Sequence, residues 1–358
     1  MALELNRLLE FAAKKGISDI HLKQGRPPAL RVAGKLVVQR NVLPVREDDI
    51  NAALDLLLED RHRQTLAESG SADCAYELSG IARFRVNVFR QYTGVSVAFR
   101  TIPTEIKAIA DLSLPGVLDE VATEKRGLIL VTGTTGSGKS TTLAAILNQI
   151  NQNTAGHIIT IEDPVEFVLP DGNCIINQRE IGTSAQSFAL ALRGALRQDP
   201  DVIMMGEMRD RETIEIALQA AETGHLVLST MHTIDAAETL NRAVAVFPPH
   251  DQTQIRHLFA DVLRWVISQR LLVKVDGTGR VPAVEILKNI PRMRELIIQQ
   301  AGAREIQELI EKSTKVYRTQ SFDQCLMMLY KKRQITLDTA LDNCSNPSDF
   351  KLKVSGVS

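Results

Sequence analysis

Residues 133–140, GTTGSGKS, fit the pattern G-x-x-x-x-G-K-[ST] in full and lie between the apolar run GLILVTG and a helix-like stretch. The pattern works only as a strand–loop–helix turn. Glycines let successive backbone N–H groups curl around an anion, and the following helix turns its positive N-terminal end toward the same point. Gly133, Thr134, Thr135, Gly136, Ser137, Gly138, Lys139, Ser140 and Thr141 therefore form the candidate phosphate loop. In it Lys139 is placed to reach β- and γ-phosphate oxygens and the Ser140 hydroxyl to ligate Mg²⁺. A nucleoside triphosphate is the expected ligand.

The sequence around the loop reads as a parallel α/β sheet. GLILVTG, HIITIED, DVIMMGE and HLVLSTMH are continuous apolar runs, as strands buried on both faces require, and helical patterns such as SFALALRGALRQ and ETIEIALQAAETG separate them. Ligands of such sheets gather at the carboxyl ends of the strands. The second run ends at Glu162, with Glu166 just beyond; the third ends at Glu207 and the fourth at His232. A hydrolytic site needs a carboxylate beside Mg²⁺ and a group that orients the attacking water. Glu207 suits the first role, Glu162 and Glu166 are candidates for the second, and His232 suits a γ-phosphate sensor. His225 reads as a core histidine, and Gly224 as the glycine that closes the preceding helix.

Composition narrows the function classes. With 42 Lys+Arg against 43 Asp+Glu, the 358-residue chain has a formal net charge of −1, which gives no global attraction to nucleic acid or anionic membrane. No run approaches the roughly 20 apolar residues of a membrane span. The N-terminus has acidic residues and Arg7 inside its apolar pattern, unlike a signal peptide, so a cytoplasmic protein is expected. Cys74, Cys174, Cys325 and Cys344 lie far apart, which suits buried thiols rather than a zinc site or disulfide framework.

Residues 1–100 read as a small α+β domain. Helical spacing of Leu5, Leu8, Leu9 and Ala12 ends at Gly16, and extended runs DIHL, LRVAGKLVV, RFRVNVFRQ and VSVAFRTI follow, with a helical stretch near 47–68 and a hairpin turn at Ala33-Gly34-Lys35. Arg83, Arg85, Arg90 and Arg100 alternate along these runs and suit a solvated strand face. They equally suit arginines supplied to a site from outside its own fold. Residues 101–120, with Pro103 and Pro115, read as a linker, 121–272 as the nucleotide-binding core and 273–358 as mostly helical. DVLRWVISQRLL, containing Trp265, reads as a helix.

Four segments in order resemble one family: the 133–141 loop, IEDPVEF (161–167), RQDPDVIMMGEMRD (197–210) and TGHLVLSTMHT (223–233). They are similar to the phosphate loop, aspartate box, Walker-B-like segment and histidine box of secretion-superfamily ATPases. DIHL, RFRVNVFRQ, FRTIP and the FDQ…LY…ITLDTAL tail further resemble the PilT-type pilus-retraction ATPases. The resemblance implies a RecA-like P-loop ATPase domain behind a smaller, PAS-like α+β domain, and a homohexamer hydrolysing ATP with Mg²⁺ between subunits. It implies a motor for pilus retraction and twitching motility that acts on an inner-membrane platform protein, with other PilT-like ATPases as further partners and no nucleic acid. It makes Glu207 the Walker-B glutamate, puts His232 in the histidine box, favours Glu166 over Glu162 for orienting water, and has Arg83 and Arg100 approach the γ-phosphate. The sequence departs from the family at 292–298, where Glu295 and Ile298 replace the usual Asn and second Arg, and at Ile234-Asp235, where Asn-Ser is usual. An accessory paralogue and an extension or type II secretion ATPase are the alternatives; the missing N-terminal extension and four-cysteine zinc element count against the second.

Overall fold

The computed structural model describes residues 3–32, 34–102, 106–277 and 279–356. The chain divides into two compact units, Met1–Glu105 with Glu166–Val168, and Ile106–Val165 with Leu169–Ser358.

The first unit is the α+β domain. Helix α1 (Leu5–Lys14) buries Leu5, Leu9 and Ala12 along one stripe, and the chain leaves it through Gly16 at φ +64°. Strands β1 (Asp19–Lys23), β2 (Ala29–Val32) and β3 (Lys35–Val38) follow, then α2 (Glu47–Leu57) and α3 (Asp60–Ser69), then β4 (Ser71–Leu78), β5 (Ala82–Gln91) and β6 (Gly94–Ile102). They form one antiparallel sheet in the order β3-β2-β1-β6-β5-β4. Ala33 of the expected hairpin turn lies outside the described residues, but Val32 pairs with Lys35 across it. Alternation sorts the sheet faces: in β5, Ala82, Phe84, Val86 and Val88 are buried while Arg83 and Arg85 point the other way, and Arg85 sits opposite Arg100 of β6. β4 escaped the sequence reading because its apolar residues alternate with Ser, Asp and Glu and never form a run.

The second unit is the RecA-like P-loop domain with its helical C-terminal region. A short helix α4 (Leu118–Val121) precedes β7 (Gly127–Thr132), α5 (Lys139–Asn153), β8 (Gly156–Glu162), β9 (Cys174–Glu180), α6 (Phe188–Ala195) and β10 (Val202–Met205). Then come α7 (Arg211–Glu222), β11 (Leu226–Met231), α8 (Ala236–Ala245), α9 (Pro249–Val262), β12 (Leu263–Val273) and β13 (Arg280–Lys288). The sheet order is β13-β12-β7-β11-β10-β8-β9, parallel except for β13. Leu128, Leu130, Ile161, Met205 and Val227 pack toward α6–α9, while Ile129, Val131, Ile158 and Ile267 pack toward α4 and α5. Helices α10 (Pro291–Ile298), α11 (Ala303–Lys312), α12 (Thr314–Tyr317), α13 (Phe322–Lys331), α14 (Leu337–Asn343) and α15 (Pro347–Ser355) complete the chain.

Two stretches differ from the expectation. DVLRWVISQRLL is not a helix: α9 stops at Val262 and residues 263–273 are strand β12, paired on one side with β7 and on the other with β13. A strand buried on both faces shows no period to distinguish it from a buried helix. Residues 273–358 are mostly helical as expected, with strand β13 at 280–288 among the helices. Residues 103–105 of the expected linker lie outside the described residues, and the remainder is no exposed tether. Ile109, Leu114, Val117 and Leu118 are buried in the same cluster as Ile129 and Leu147. Leu118 is fully buried, so Leu118→Ala should cost about 2–5 kcal/mol in urea denaturation of the full chain. A loss under about 0.5 kcal/mol, as for an exposed connection, would contradict this packing.

Candidate functional site

Strand β7 ends at Thr132, the loop begins at Gly133, and α5 begins at Lys139. Gly133, Gly136 and Gly138 have φ of +144°, +79° and +95°, in the region that favours glycine. At Gly133 space also demands it, since a Cβ there would collide with the Gln269 carbonyl oxygen and the Ser137 hydroxyl. The neighbouring strand β12 grips the loop's base. The Thr132 hydroxyl donates to Ser268 Oγ at 2.9 Å, and the Thr142 hydroxyl of α5 donates to Gln269 Oε1 at 2.8 Å. Ser268 and Gln269 were not foreseen; two polar residues inside the apolar run WVISQRLL were their only signal.

Lys139 is buried and donates from Nζ to the carbonyl oxygens of Gly133 at 2.8 Å and Thr134 at 3.0 Å. The ammonium is thus held inside the curl of its own loop. The Ser137 hydroxyl is buried without a hydrogen-bond partner, an arrangement that an anion in the loop would satisfy. A glycine-rich loop, an inward lysine, an orphaned hydroxyl and a helix N-terminus together fit a phosphate group. A cleft of about 410 Å³ opens from Gly133, Thr134 and Gly136 toward Gln269, Arg280 and Asn343.

The expected acidic edge is present beside the loop strand. Glu162 is the last residue of β8, Glu207 follows β10 by two residues, and His232 directly follows β11. His232 Nε2 lies 3.3 Å from Glu207 Oε2, and Arg209 also pairs with that carboxylate. The two segments are fastened by backbone and hydroxyl: Met208 N donates to Thr230 O at 3.0 Å, and Thr230 Oγ1 to Gly206 O at 2.6 Å. Gly206 N donates to Ile161 O at 2.8 Å, which sets the Glu207 turn against the end of β8. Buried Glu162 accepts from the Thr160 hydroxyl at 2.6 Å and the Gln178 amide at 3.1 Å. Glu166 is exposed, in the connection beyond Pro164. Glu180, another residue the sequence did not single out, anchors that connection by accepting from Val165 N at 3.1 Å. Its signal was hidden because β9 is an edge strand with few apolar residues.

His225 is structural: its Nδ1 lies 2.9 Å from the Ala220 carbonyl at the end of α7, and Gly224 follows the helix at φ +111°. In the first unit, Arg83, Arg85 and Arg100 share one face of β5 and β6. Arg100 Nε donates to Asp19 at 2.9 Å. Burial pushes the Asp19 carboxyl up, but Ser18, Arg100 and Arg31 outweigh it and hold it below its usual range. Among the described residues no group of histidines, cysteines and carboxylates has the arrangement of a metal centre. Ser140, half-buried in the first turn of α5, and Glu207 are the residues that could hold Mg²⁺ together with phosphate oxygens.

A family model described as Type II/IV secretion system protein matches residues 3–343. The chain is 43% identical over 348 residues to the type IV pilus retractation ATPase PilT of Pseudomonas aeruginosa, covering 97% of this chain and 100% of that one. It is 37% identical over 352 residues to the type IV pilus ATPase PilU of the same organism, covering 98% and 91%. A crystal structure of the pilus retraction motor PilT with bound ADP superposes with a TM-score of 0.89 at 44% identity, covering 97% of this chain and 98% of that one.

The geometry of the loop makes one substitution diagnostic. Gly133→Ala should fold, with unchanged far-UV circular dichroism, yet weaken ADP binding by at least about tenfold in a direct titration, because its methyl group displaces either the Gln269 carbonyl or Ser137. Undiminished affinity would contradict the cradle.

Proposed function

Because this chain belongs to the type II/IV secretion system protein family, we propose that it is an ATP-hydrolysing motor of type IV pilus retraction. The observation that carries this is whole-length likeness to a pilus retraction ATPase combined with a complete phosphate loop. The motor works as a homohexameric ring on the cytoplasmic side of the inner membrane and engages the pilus platform protein. Among the described residues no helix is long and apolar enough to cross a membrane, so attachment runs through that partner.

The chemistry follows from the residues. Backbone N–H groups of 133–138 and the N-terminal end of α5 receive the phosphates. Lys139 exchanges its contacts with the Gly133 and Thr134 carbonyls for β- and γ-phosphate oxygens, so its charge is available without a search through rotamers. Ser140 and Glu207 would hold Mg²⁺, which when bound neutralises charge on the transferring phosphoryl group. His232, set by its contact with Glu207, senses whether the γ-phosphate is present. Glu166 orients the attacking water, with Glu162 second. Arg83 and Arg100 come from a neighbouring copy and stabilise charge that develops in the transition state. Loss of the γ-phosphate removes their anchor and lets the neighbouring units part.

A second reading, an accessory paralogue, rests on the altered stretch 292–298. There Leu296 and Ile297 are buried, and Arg292 ion-pairs with the unusual Glu295 at 2.6 Å.

Steady-state ATP hydrolysis across a protein concentration series separates the two. The motor reading expects turnover that climbs steeply with concentration, and a fall of about 100-fold or more in Lys139→Ala and in Glu166→Gln, with Glu166→Gln still binding nucleotide. Undiminished turnover in Glu166→Gln moves water orientation to Glu162. Nucleotide binding with no turnover at any concentration contradicts the motor and leaves the accessory reading.

A further inference from the structure

Strand β13 carries a single acidic residue among apolar ones, and that residue is buried. Glu285 is 1% exposed and pairs across the sheet with Ser268, which pairs in turn with Thr132 at the foot of the phosphate loop. Its carboxylate meets N–H groups from three separate helices. Ala236 N, at the start of α8, donates to Oε1 at 2.8 Å, and the Gln307 amide of α11 to Oε2 at 3.4 Å. The backbone of Phe322, at the start of α13, adds a further hydrogen bond. Two of these donors are helix N-termini, where an anion is favoured. Ala236 lies four residues past His232, at the end of a short turn fixed by the Asp235 side chain capping α8.

We propose that Glu285 is a positioning residue for the nucleotide site, fastening the start of α8, and with it the segment bearing His232, to the first turn of α13 and to α11. This rests on reading His232 as part of the ATPase site. The C-terminal helices then reach that site through one buried carboxyl group.

The fastening carries a pH signature. Burial pushes the Glu285 carboxyl up to about 7, and Asp235 adds to the rise; the Ala236 and Phe322 N–H groups and the Arg270 charge oppose it. The groups facing it are Asp235 from α8, Arg270 from β12, uncharged Gln307 from α11, and from α13 the Phe322 backbone. Cys325 of α13, bonded to Val284 N, has its thiol pushed up by burial, so it contributes no charge near neutrality. A solvated glutamate titrates near about 4.3. Protons therefore favour the buried, fastened arrangement, and raising the pH from about 5 to about 7 shifts the balance toward release. Above about 7 the shift is complete.

Hydrogen–deuterium exchange of peptides within 232–240 in the full chain, corrected for the intrinsic pH dependence of exchange, tests this. Wild-type protection should fall by up to about 100-fold between pH 5 and 7 and then level off. Glu285→Gln should show no such step. Asp235→Asn keeps a good helix cap but removes the nearby charge, so its step should be smaller and end at lower pH. At pH 6, where wild type is fastened, Glu285→Ala should lower kcat about tenfold with KM unchanged, and the neutral isostere in Glu285→Gln should restore it. A flat wild-type profile, a step that survives Glu285→Gln, or one unmoved by Asp235→Asn would overturn the proposal. An exchange step without any ATP turnover would fault only the motor reading, and turnover without the step would fault only this inference.

Discussion

Everything at the nucleotide site depends on how closely strand β12 approaches the start of the phosphate loop. The Gln269 carbonyl lies where a side chain on residue 133 would have to go, so the chain must turn there on a bare backbone. That turn aims the loop's N–H groups at one point and starts α5 on the same axis. The grip is reinforced on both flanks, by Thr132 on Ser268 and by Thr142 on Gln269. A single neighbouring strand thereby fixes both ends of the loop. Lys139 is stored within it, on carbonyls that compete only weakly with a phosphate.

The same strand order explains why the catalytic candidates converge. β11 lies between the loop strand β7 and β10, so His232 emerges beside both the phosphate loop and Glu207. The contact between His232 and Glu207 needs no long side-chain reach, because Thr230 and Gly206 already join the two backbones. On the other side of the loop, β12 and β13 carry the sheet to the C-terminal helices. Glu285 stands in the cross-strand row that leads back to Thr132. Domain membership matters as well: Glu166 groups with the first unit while Glu162, four residues earlier, belongs to the second. The candidate water-orienting residues thus belong to different compact units.

What could be read from the sequence was what is local. The phosphate loop, the four central strands and the acids at their ends are each contiguous, and their residue types carry the chemistry directly. β12 was misread as a helix because Trp265, Val266 and Ile267 are buried on both faces and leave no period to count. Residues 101–120 read as a linker because they contain Pro103 and Pro115, but tertiary burial of Ile109 and Leu118 overrides the punctuation. Gln269 and Glu285 are hard to read from the sequence for a different reason. Each gains its role from partners far along the chain, such as Ala236, Gln307 and Phe322 around Glu285, and no spacing rule links those segments.

ATP turnover on this loop drives retraction rather than assembly of pili. Imaging of fluorescently labelled pili in cells lacking the chain, and in the same cells expressing wild type or Lys139→Ala, tests it most directly. Pili should persist at the surface while retraction events disappear in the deletion, return with wild type and stay absent with Lys139→Ala. Loss of surface pili in the deletion, or retraction at undiminished frequency, would contradict it.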